Sequence, residues 1–133
     1  MTEFVFFYGT LMSGFKRPGR TPLDQALRPI GRGSIQAALF DLGIYPAAIP
    51  ADDTRVWGEV YQMLDPDAVL TTLDELQGYR ASEPDAGLYM RAETPVTLAE
   101  GRLANAWAYF YNAPLGRAER IESGDYLLHL NLK

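Results

Sequence analysis

The 133-residue sequence contains no cysteine and a single histidine, His129. The absence of cysteine excludes disulfides, thiolate metal sites and a cysteine nucleophile. One histidine is too few for a histidine-rich metal site, and no serine has it at a spacing that suggests a hydrolase triad. We therefore expect neither a bound metal nor chemistry of the serine-histidine type.

Long hydrophobic runs and a basic leader are also missing. No window approaches the roughly 18 apolar residues that a membrane-spanning helix needs. The opening MTEFVFFYG carries an acid and no basic region, unlike a secretory signal. We therefore expect a cytoplasmic protein without a membrane partner. The net charge of -5 opposes attraction to a phosphate backbone, so nucleic acid is not an expected partner either.

The remaining composition is that of one compact domain, which we predict over residues 1–133. Hydrophobic residues make up 47% and charged residues 22% of the chain, and a chain of this length buries roughly two-thirds of its unfolded surface. Against the acidic average, one early segment is basic, with Lys16, Arg17, Arg20, Arg28 and Arg32. This basic segment is either a solvated loop or a docking patch for an anionic part of a substrate.

The hydrophobic pattern predicts a mixed α+β domain of five or six strands with one clear helix. The run EFVFFYG predicts a central first strand that is buried on both faces. Further strands are predicted at GSIQAALFDLG, RVWGEVYQML, LYMRAETPVTL and RLANAWAYFYN, the last two joined in a hairpin. GIYPAAIPADDT is interpreted as a turn-rich connection, and His129 as a strand residue. The sheet is expected to curl toward a barrel.

The predicted helix spans residues 65–78. Asp65 is a natural N-cap, Pro66 suits the first helical position, and Gly78 can supply a left-handed residue at the C-terminus. An apolar stripe at helical spacing lies between these ends, formed by Leu70, Leu73 and Leu76.

The first strand ends in the sequence Tyr8, Gly9, Thr10 and Leu11. A glycine at a tight turn lets backbone N–H groups point outward, an arrangement that suits a carboxylate. Thr10 adds a hydroxyl, and Tyr8 adds a ring with a polar tip. Alone, a glycine after a strand usually marks only a turn.

The sequence resembles the gamma-glutamylcyclotransferase-like family, which includes the AIG2-like proteins and the gamma-glutamylamine cyclotransferases. The resemblance is carried by six segments that occur in this order: FVFFYGTLMSG, ALFDLGIYPAAI, VWGEVYQM, LDELQGY, LYMRAETPV and AWAYFY. The similarity covers nearly the whole chain. It implies a small mixed β-barrel with flanking helices and a cavity at one end. It also implies that the α-amine of a γ-glutamyl amine or amino acid attacks its own γ-carbonyl. The products are 5-oxoproline and a free amine, and no cofactor takes part.

The resemblance also assigns roles to residues. The loop matching Tyr8–Leu11 holds the α-carboxylate and amine of the γ-glutamyl group. Gly43 and Tyr45 are expected to shape the rim of the substrate site, and Tyr89 to lie near the substrate or simply to be half-buried in its strand. Apart from the resemblance, the place of Arg91 on the same strand face as Tyr89 predicts a structural ion-pair partner.

The cyclisation needs a proton carrier, because the attacking amine must lose a proton and the departing nitrogen must gain one. The family assigns this work to a glutamate before the glycine in L-D-x-x-E-G, and here that position is Gln77. Glutamine is isosteric with glutamate but cannot carry the proton. Losing a general base costs about 10²- to 10⁴-fold in rate. We therefore interpret the chain as a cyclotransferase or as a γ-glutamyl-binding protein on the same fold.

Two other acids are candidates to replace the missing one. Asp74 lies three residues before Gln77 on the same helix face, whereas Glu75 is expected to point elsewhere. Glu83, in the loop before the next strand, is the second candidate. The sequence is also compatible with a residue altered at position 77 to trap a substrate, and with an interaction protein whose basic segment meets an acidic partner. It leaves open the oligomeric state and the leaving group: an amino acid, a polyamine, a protein-derived lysine or an antibiotic intermediate.

Overall fold

The computed structural model describes residues 2–13, 15, 20–43, 45–80, 82–83 and 87–131. Within these ranges the strands are β1 (Phe4–Phe7), β2 (Leu27–Asp41), β3 (Pro46–Met63), β4 (Tyr89–Leu98), β5 (Leu103–Tyr111) and β6 (Glu119–Arg120). The helices are a 3₁₀ helix (Thr21–Ala26), α1 (Pro66–Gln77) and α2 (Tyr126–Asn131). None of the helices described is long and apolar enough to cross a membrane. Lys16 and Arg17 of the basic segment lie outside the described residues.

Five of the strands described close into a barrel. They are hydrogen-bonded in the order β3-β1-β5-β4-β2, and β2 pairs back onto β3. The β1–β5 pair is parallel and the other pairs are antiparallel. β6 extends the sheet beside Phe40 and Asp41 at the end of β2. The predicted mixed β-barrel of five to six strands with flanking helices is confirmed.

β1 is the central strand that its composition predicted. It lies between β3 and β5, and Val5, Phe6 and Phe7 are buried. A strand with a neighbour on each side and core on both faces requires apolar side chains at successive positions, which the sequence supplies. Because β1 ends beside the end of β5, the Tyr8–Leu11 loop begins at that end of the barrel.

β2 and β3 form a longer hairpin than the sequence predicted. β2 begins at Leu27 and β3 begins at Pro46, so the interpretation of residues 46–54 as a turn-rich connection is wrong. Both prolines occupy positions that a strand tolerates. Pro46 is the first residue of β3, and Pro50 pairs with Ala37 beside a register shift between Gln36 and Ala37.

α1 has the predicted ends. The Asp65 side chain accepts a hydrogen bond from the Ala68 N–H, and Pro66 occupies the first turn. Gly78 ends the helix with φ of 68°, a left-handed conformation in which its N–H reaches the carbonyls of the last turn. The helix buries Val69, Leu70 and Leu73. These caps fix Gln77 as the last helical residue.

His129 lies in α2, so its prediction as a strand residue is wrong. The alternation in LLHLNL resembles a strand, but the Asp125 side chain accepts a hydrogen bond from the Leu128 N–H and caps a helical turn. Nε2 of His129 then lies 2.8 Å from Oδ2 of Asp41. This contact fastens α2 to the end of β2.

Candidate functional site

A cavity of about 450 Å³ lies at the end of the barrel where β1 and β5 finish and β4 begins. Its walls come from the loop after β1, the start of β3, the C-terminal end of α1 and the start of β4. The volume is in the range of small-ligand sites. Seven of the predicted site residues line it: Tyr8, Gly9, Thr10, Leu11, Tyr45, Gln77 and Tyr89. Of the predicted set, Gly43 does not line the cavity; its N–H donates to Asp41 in the neighbouring turn.

The loop after β1 turns tightly against the start of β3. The Met12 N–H donates to the Gly9 carbonyl at 3.0 Å, which closes a four-residue turn. A Cβ added to Gly9 would lie 2.8 Å from Cγ of Pro46, closer than side-chain carbons approach. Glycine is therefore needed here because the loop and the Pro46 ring share one wall of the cavity.

Two charged residues outside the predicted set hold this loop. The Glu59 carboxylate accepts hydrogen bonds from the N–H and the hydroxyl of Ser13, at 2.8 and 2.9 Å, and from the Tyr61 hydroxyl at 2.7 Å. Nε of Arg20 donates to the Leu11 carbonyl at 3.1 Å while its guanidinium stacks on Tyr61. Arg20 is thus neither a solvated charge nor a docking group. Glu59 could have been noticed as the only acid within the strand segment 55–63.

The Tyr8 hydroxyl is committed to the interior of the barrel. It donates to the Tyr109 carbonyl at 2.6 Å and accepts from the Ala48 N–H at 3.3 Å. Burial raises the pKa of Tyr8 well above its ordinary value, and the backbone hydrogen bond from Ala48 opposes this only in part. The polar tip of Tyr8 therefore fastens the end of β1 to β5 and β3.

Tyr45 and Tyr89 form an aromatic part of the wall. Their ring centroids lie 6.1 Å apart with the planes tilted by 59°, and the Tyr89 ring meets Tyr111 edge to face at 5.4 Å. The Tyr89 hydroxyl donates to the Pro46 carbonyl at 2.9 Å. This contact joins the start of β4 to the start of β3 in the cavity wall.

Asp74 is bound on both oxygens. Nε and Nη2 of Arg91 donate to it at 2.9 and 3.2 Å, and the Tyr109 hydroxyl donates at 2.6 Å. Burial, followed by the hydrogen bond to Asp74, raises the pKa of Tyr109 far above its ordinary value. The prediction that Arg91 is a structural ion-pair partner is confirmed. Asp74 does not line the 450 Å³ cavity.

The end of α1 presents Glu75 and Gln77 to the same cavity. Glu75, expected to point away from Gln77, nevertheless borders the same cavity, because the helix stops at Gly78 and the cavity extends around its last turn. Within the described part of the chain, neither the Glu75 carboxylate nor the Gln77 amide has a hydrogen-bond partner. Glu83 is exposed and is not part of the cavity wall.

A sequence model described as Gamma-glutamyl cyclotransferase, AIG2-like, matches residues 5–128. The chain belongs to this family. The resemblance carried by YGTLM, GIYP and LDELQG is thereby confirmed, and the barrel is the fold of AIG2-like proteins.

Relatives within the gamma-glutamylcyclotransferase family match almost end to end. The gamma-glutamylcyclotransferase family protein YtfP of Escherichia coli strain K12 is 33% identical over 124 residues, which cover 92% of this chain and 95% of YtfP. The solution structure of E. coli YtfP superposes with a TM-score of 0.65 at 32% identity, covering 93% of this chain and 96% of that one. A crystal structure of an AIG2-like protein from Mus musculus gives a TM-score of 0.72 at 23% identity, covering 92% and 88%, and shows the shared fold.

Proposed function

We propose that this member of the gamma-glutamylcyclotransferase family binds the γ-glutamyl group of a γ-glutamyl amine or amino acid and cyclises it to 5-oxoproline and a free amine. The observation that carries the proposal is the convergence of the Tyr8–Leu11 loop, Gln77 and Tyr89 on one cavity of about 450 Å³. The family assignment and the name of the E. coli relative support the substrate class. The expected cytoplasmic location stays a prediction.

The cavity suits a short zwitterion with a flexible apolar stem. Among the described residues that line it there is no lysine, arginine or histidine. We expect the substrate α-carboxylate to be met instead by backbone N–H groups of the loop that begins at Gly9, as the family resemblance implies. The rings of Tyr45 and Tyr89 offer an apolar surface to the methylene groups.

The reaction itself is largely a matter of positioning. Ring closure is intramolecular, so a site that folds the γ-glutamyl chain over brings the amine to the γ-carbonyl without a second reactant. The Gln77 amide lies in the cavity wall with no partner among the described residues, and it can donate or accept a hydrogen bond to the bound group. It cannot move the proton.

A second candidate function is favoured by Gln77 itself. A protein with the same cavity but a neutral amide at this position binds γ-glutamyl compounds without turning them over. Binding alone stabilises the folded state by an amount set by the ligand concentration and its dissociation constant. Both functions therefore predict thermal stabilisation by a γ-glutamyl ligand, and only the cyclotransferase function predicts release of 5-oxoproline.

The test is 5-oxoproline release from a panel of γ-glutamyl amines and amino acids, using the chain as it stands and Gln77→Glu. We expect release from both, with Gln77→Glu faster, because it adds a carboxylate at the position where the family has its proton carrier. Gln36→Glu, the same chemical change at an exposed position of β2, is the matched control and should change nothing. Release by Gln77→Glu alone, with ligand stabilising both proteins, would establish the binding function. An absence of release and of stabilisation in both would contradict the proposal.

A further inference from the structure

Among the described residues that line the cavity, Glu75 is the one acidic residue. No basic side chain accompanies it there, and the other titratable groups of the wall are tyrosines. A group that moves a proton must lie within hydrogen-bond reach of the reacting atoms, so the proton carrier is to be sought among these wall residues first.

Three of the four tyrosines in the described wall are poor proton carriers. The Tyr8 hydroxyl donates to the Tyr109 carbonyl, and the Tyr109 hydroxyl donates to Asp74. Burial raises the pKa of both phenols. The Tyr89 hydroxyl donates to Pro46. Each of these protons is held by an acceptor of the protein, and a phenol with a raised pKa does not act as a base near neutral pH.

The acids outside the wall are no better placed. Asp74 has both oxygens occupied by Arg91 and Tyr109, so it would have to break the ion pair to act on a ligand. Glu83 lies in the segment between α1 and β4, where its N–H donates to the Arg80 carbonyl. Neither residue borders the 450 Å³ cavity.

Glu75, in contrast, lies where two cavities meet. It lines the 450 Å³ cavity and also a neighbouring cavity of about 560 Å³ that Asp74 and Arg80 border. Gly78 and Gly87 line both as well. No ion pair or hydrogen bond within the described residues engages the Glu75 carboxylate. It is therefore free to turn toward a ligand whose glutamyl part fills the first cavity and whose leaving group extends into the second.

We infer that Glu75 carries the proton in this chain, in place of the acid that is missing at position 77. The inference rests on the proposed function. Gln77 then positions the γ-glutamyl group, and the base is Glu75, two residues earlier at the end of the same helix.

The step balances without any other reactant. The Glu75 carboxylate takes a proton from the substrate ammonium, and the amine forms a C–N bond to the γ-carbonyl carbon. As the original amide C–N bond breaks, Glu75 returns the proton to the departing nitrogen. Two protons in all pass from the nitrogen that enters the ring to the amine, which leaves as its ammonium, so the carboxylate is regenerated and net charge is unchanged.

The test compares 5-oxoproline release and ligand-induced thermal stabilisation in Glu75→Gln, Gln77→Glu and the Glu75→Gln/Gln77→Glu double variant. We expect Glu75→Gln to lose about 10²-fold or more in turnover number while ligand stabilisation stays unchanged, because only the proton carrier is removed. The double variant should regain activity, since a carboxylate again lines the cavity. Glu83→Gln, an exposed acid of the nearby segment, is the matched control and should keep the full rate.

Other outcomes overturn the inference in ways that can be told apart. Equal release by Glu75→Gln and the unaltered protein would show that another group moves the proton, while the proposed function stands. Ligand stabilisation without release in the unaltered protein, with release by Gln77→Glu, would leave a binding protein in which Glu75 is not a base. No release and no stabilisation in any variant would end both the inference and the proposed function.

Discussion

Two acids that are neighbours in the sequence, Asp74 and Glu75, lie in regions of opposite character. Asp74 faces the barrel, where Arg91 and Tyr109 donate three hydrogen bonds to its two oxygens. Glu75 borders the cavity and has no partner among the described residues. The difference shows that the role of an acid on α1 depends on what the barrel places against it, and not on its distance from Gln77 along the helix.

In the region around Asp74 the charged groups are paired and enclosed by rings. The Arg91 guanidinium that holds it lies 4.5 Å from the Trp107 ring centroid and 5.5 Å from that of Tyr79. A cation enclosed by rings and paired with a carboxylate loses its solvation and is sensitive to the loss of its partner. The cavity side of the same helix end keeps an amide and a carboxylate available instead. Paired and unpaired side chains are thus divided between two sides of one helical turn.

The largest expected difference between the two acids appears when each is replaced by its neutral amide. Asp74→Asn should lower the free energy of unfolding by about 3 kcal/mol, because Arg91 is left as an unpaired, largely buried charge. Glu75→Gln should lower it by less than about 0.5 kcal/mol, as expected for an exposed residue without partners. Urea unfolding of both variants measures this. Equal losses would show that the two acids do not differ in structural role.

The cavity side can be tested through Gly9. Gly9→Ala should lower the free energy of unfolding by about 2 kcal/mol, because the new methyl group would lie 2.8 Å from Cγ of Pro46 and must displace the ring. Displacing Pro46 also disturbs the carbonyl that accepts from Tyr89, so ligand-induced stabilisation should fall as well. Gly9→Ala combined with Pro46→Ala removes the clash and should recover part of the loss. If the double variant is no more stable than Gly9→Ala, the contact is not the cause.

The last expected effect is a loss of stability at high pH that comes from two buried tyrosines. Burial raises the pKa of Tyr8 and of Tyr109, so in the folded chain both keep a proton that an unfolded tyrosine loses near pH 10. Their contribution to stability is complete below about pH 10 and is lost as the pH rises further, by about 1.4 kcal/mol per pH unit for each group. Denaturant unfolding between pH 9 and 11 measures the slope. Tyr109→Phe should make the slope of stability against pH shallower. An unchanged slope would show that Tyr109 does not contribute to this pH dependence.

Much of the fold followed from local patterns. The caps Asp65 and Gly78 predicted both ends of α1, and the run EFVFFYG predicted a central strand. The start of β3 was missed because Pro46 and Pro50 suggest turns, and only the register with β2 shows that both sit where a strand accepts proline. α2 was missed because a short apolar alternation does not distinguish a strand from a helix.

The candidate site was predicted in part. The motif residues of the Tyr8–Leu11 loop, together with Tyr45, Gln77 and Tyr89, line one cavity, although their roles toward a ligand stay predictions. The supports of the loop, Glu59 and Arg20, were not predicted. Their hydrogen bonds join residues that are far apart in the sequence or lie in a loop, and no periodic pattern encodes such contacts.

The sequence by itself determined the family, the helix with its caps and the neutrality of position 77, because each depends on residue identity or on neighbours within one turn. Only the tertiary structure decided the division between Asp74 and Glu75. Arg91 and Tyr109 reach Asp74 from strands that follow α1 in the chain, and the closure of the barrel sets which side of the helix end faces the cavity. Whether a carboxylate is hydrogen-bonded within the protein depends on the donors that the fold brings to it, and those donors are distant in sequence.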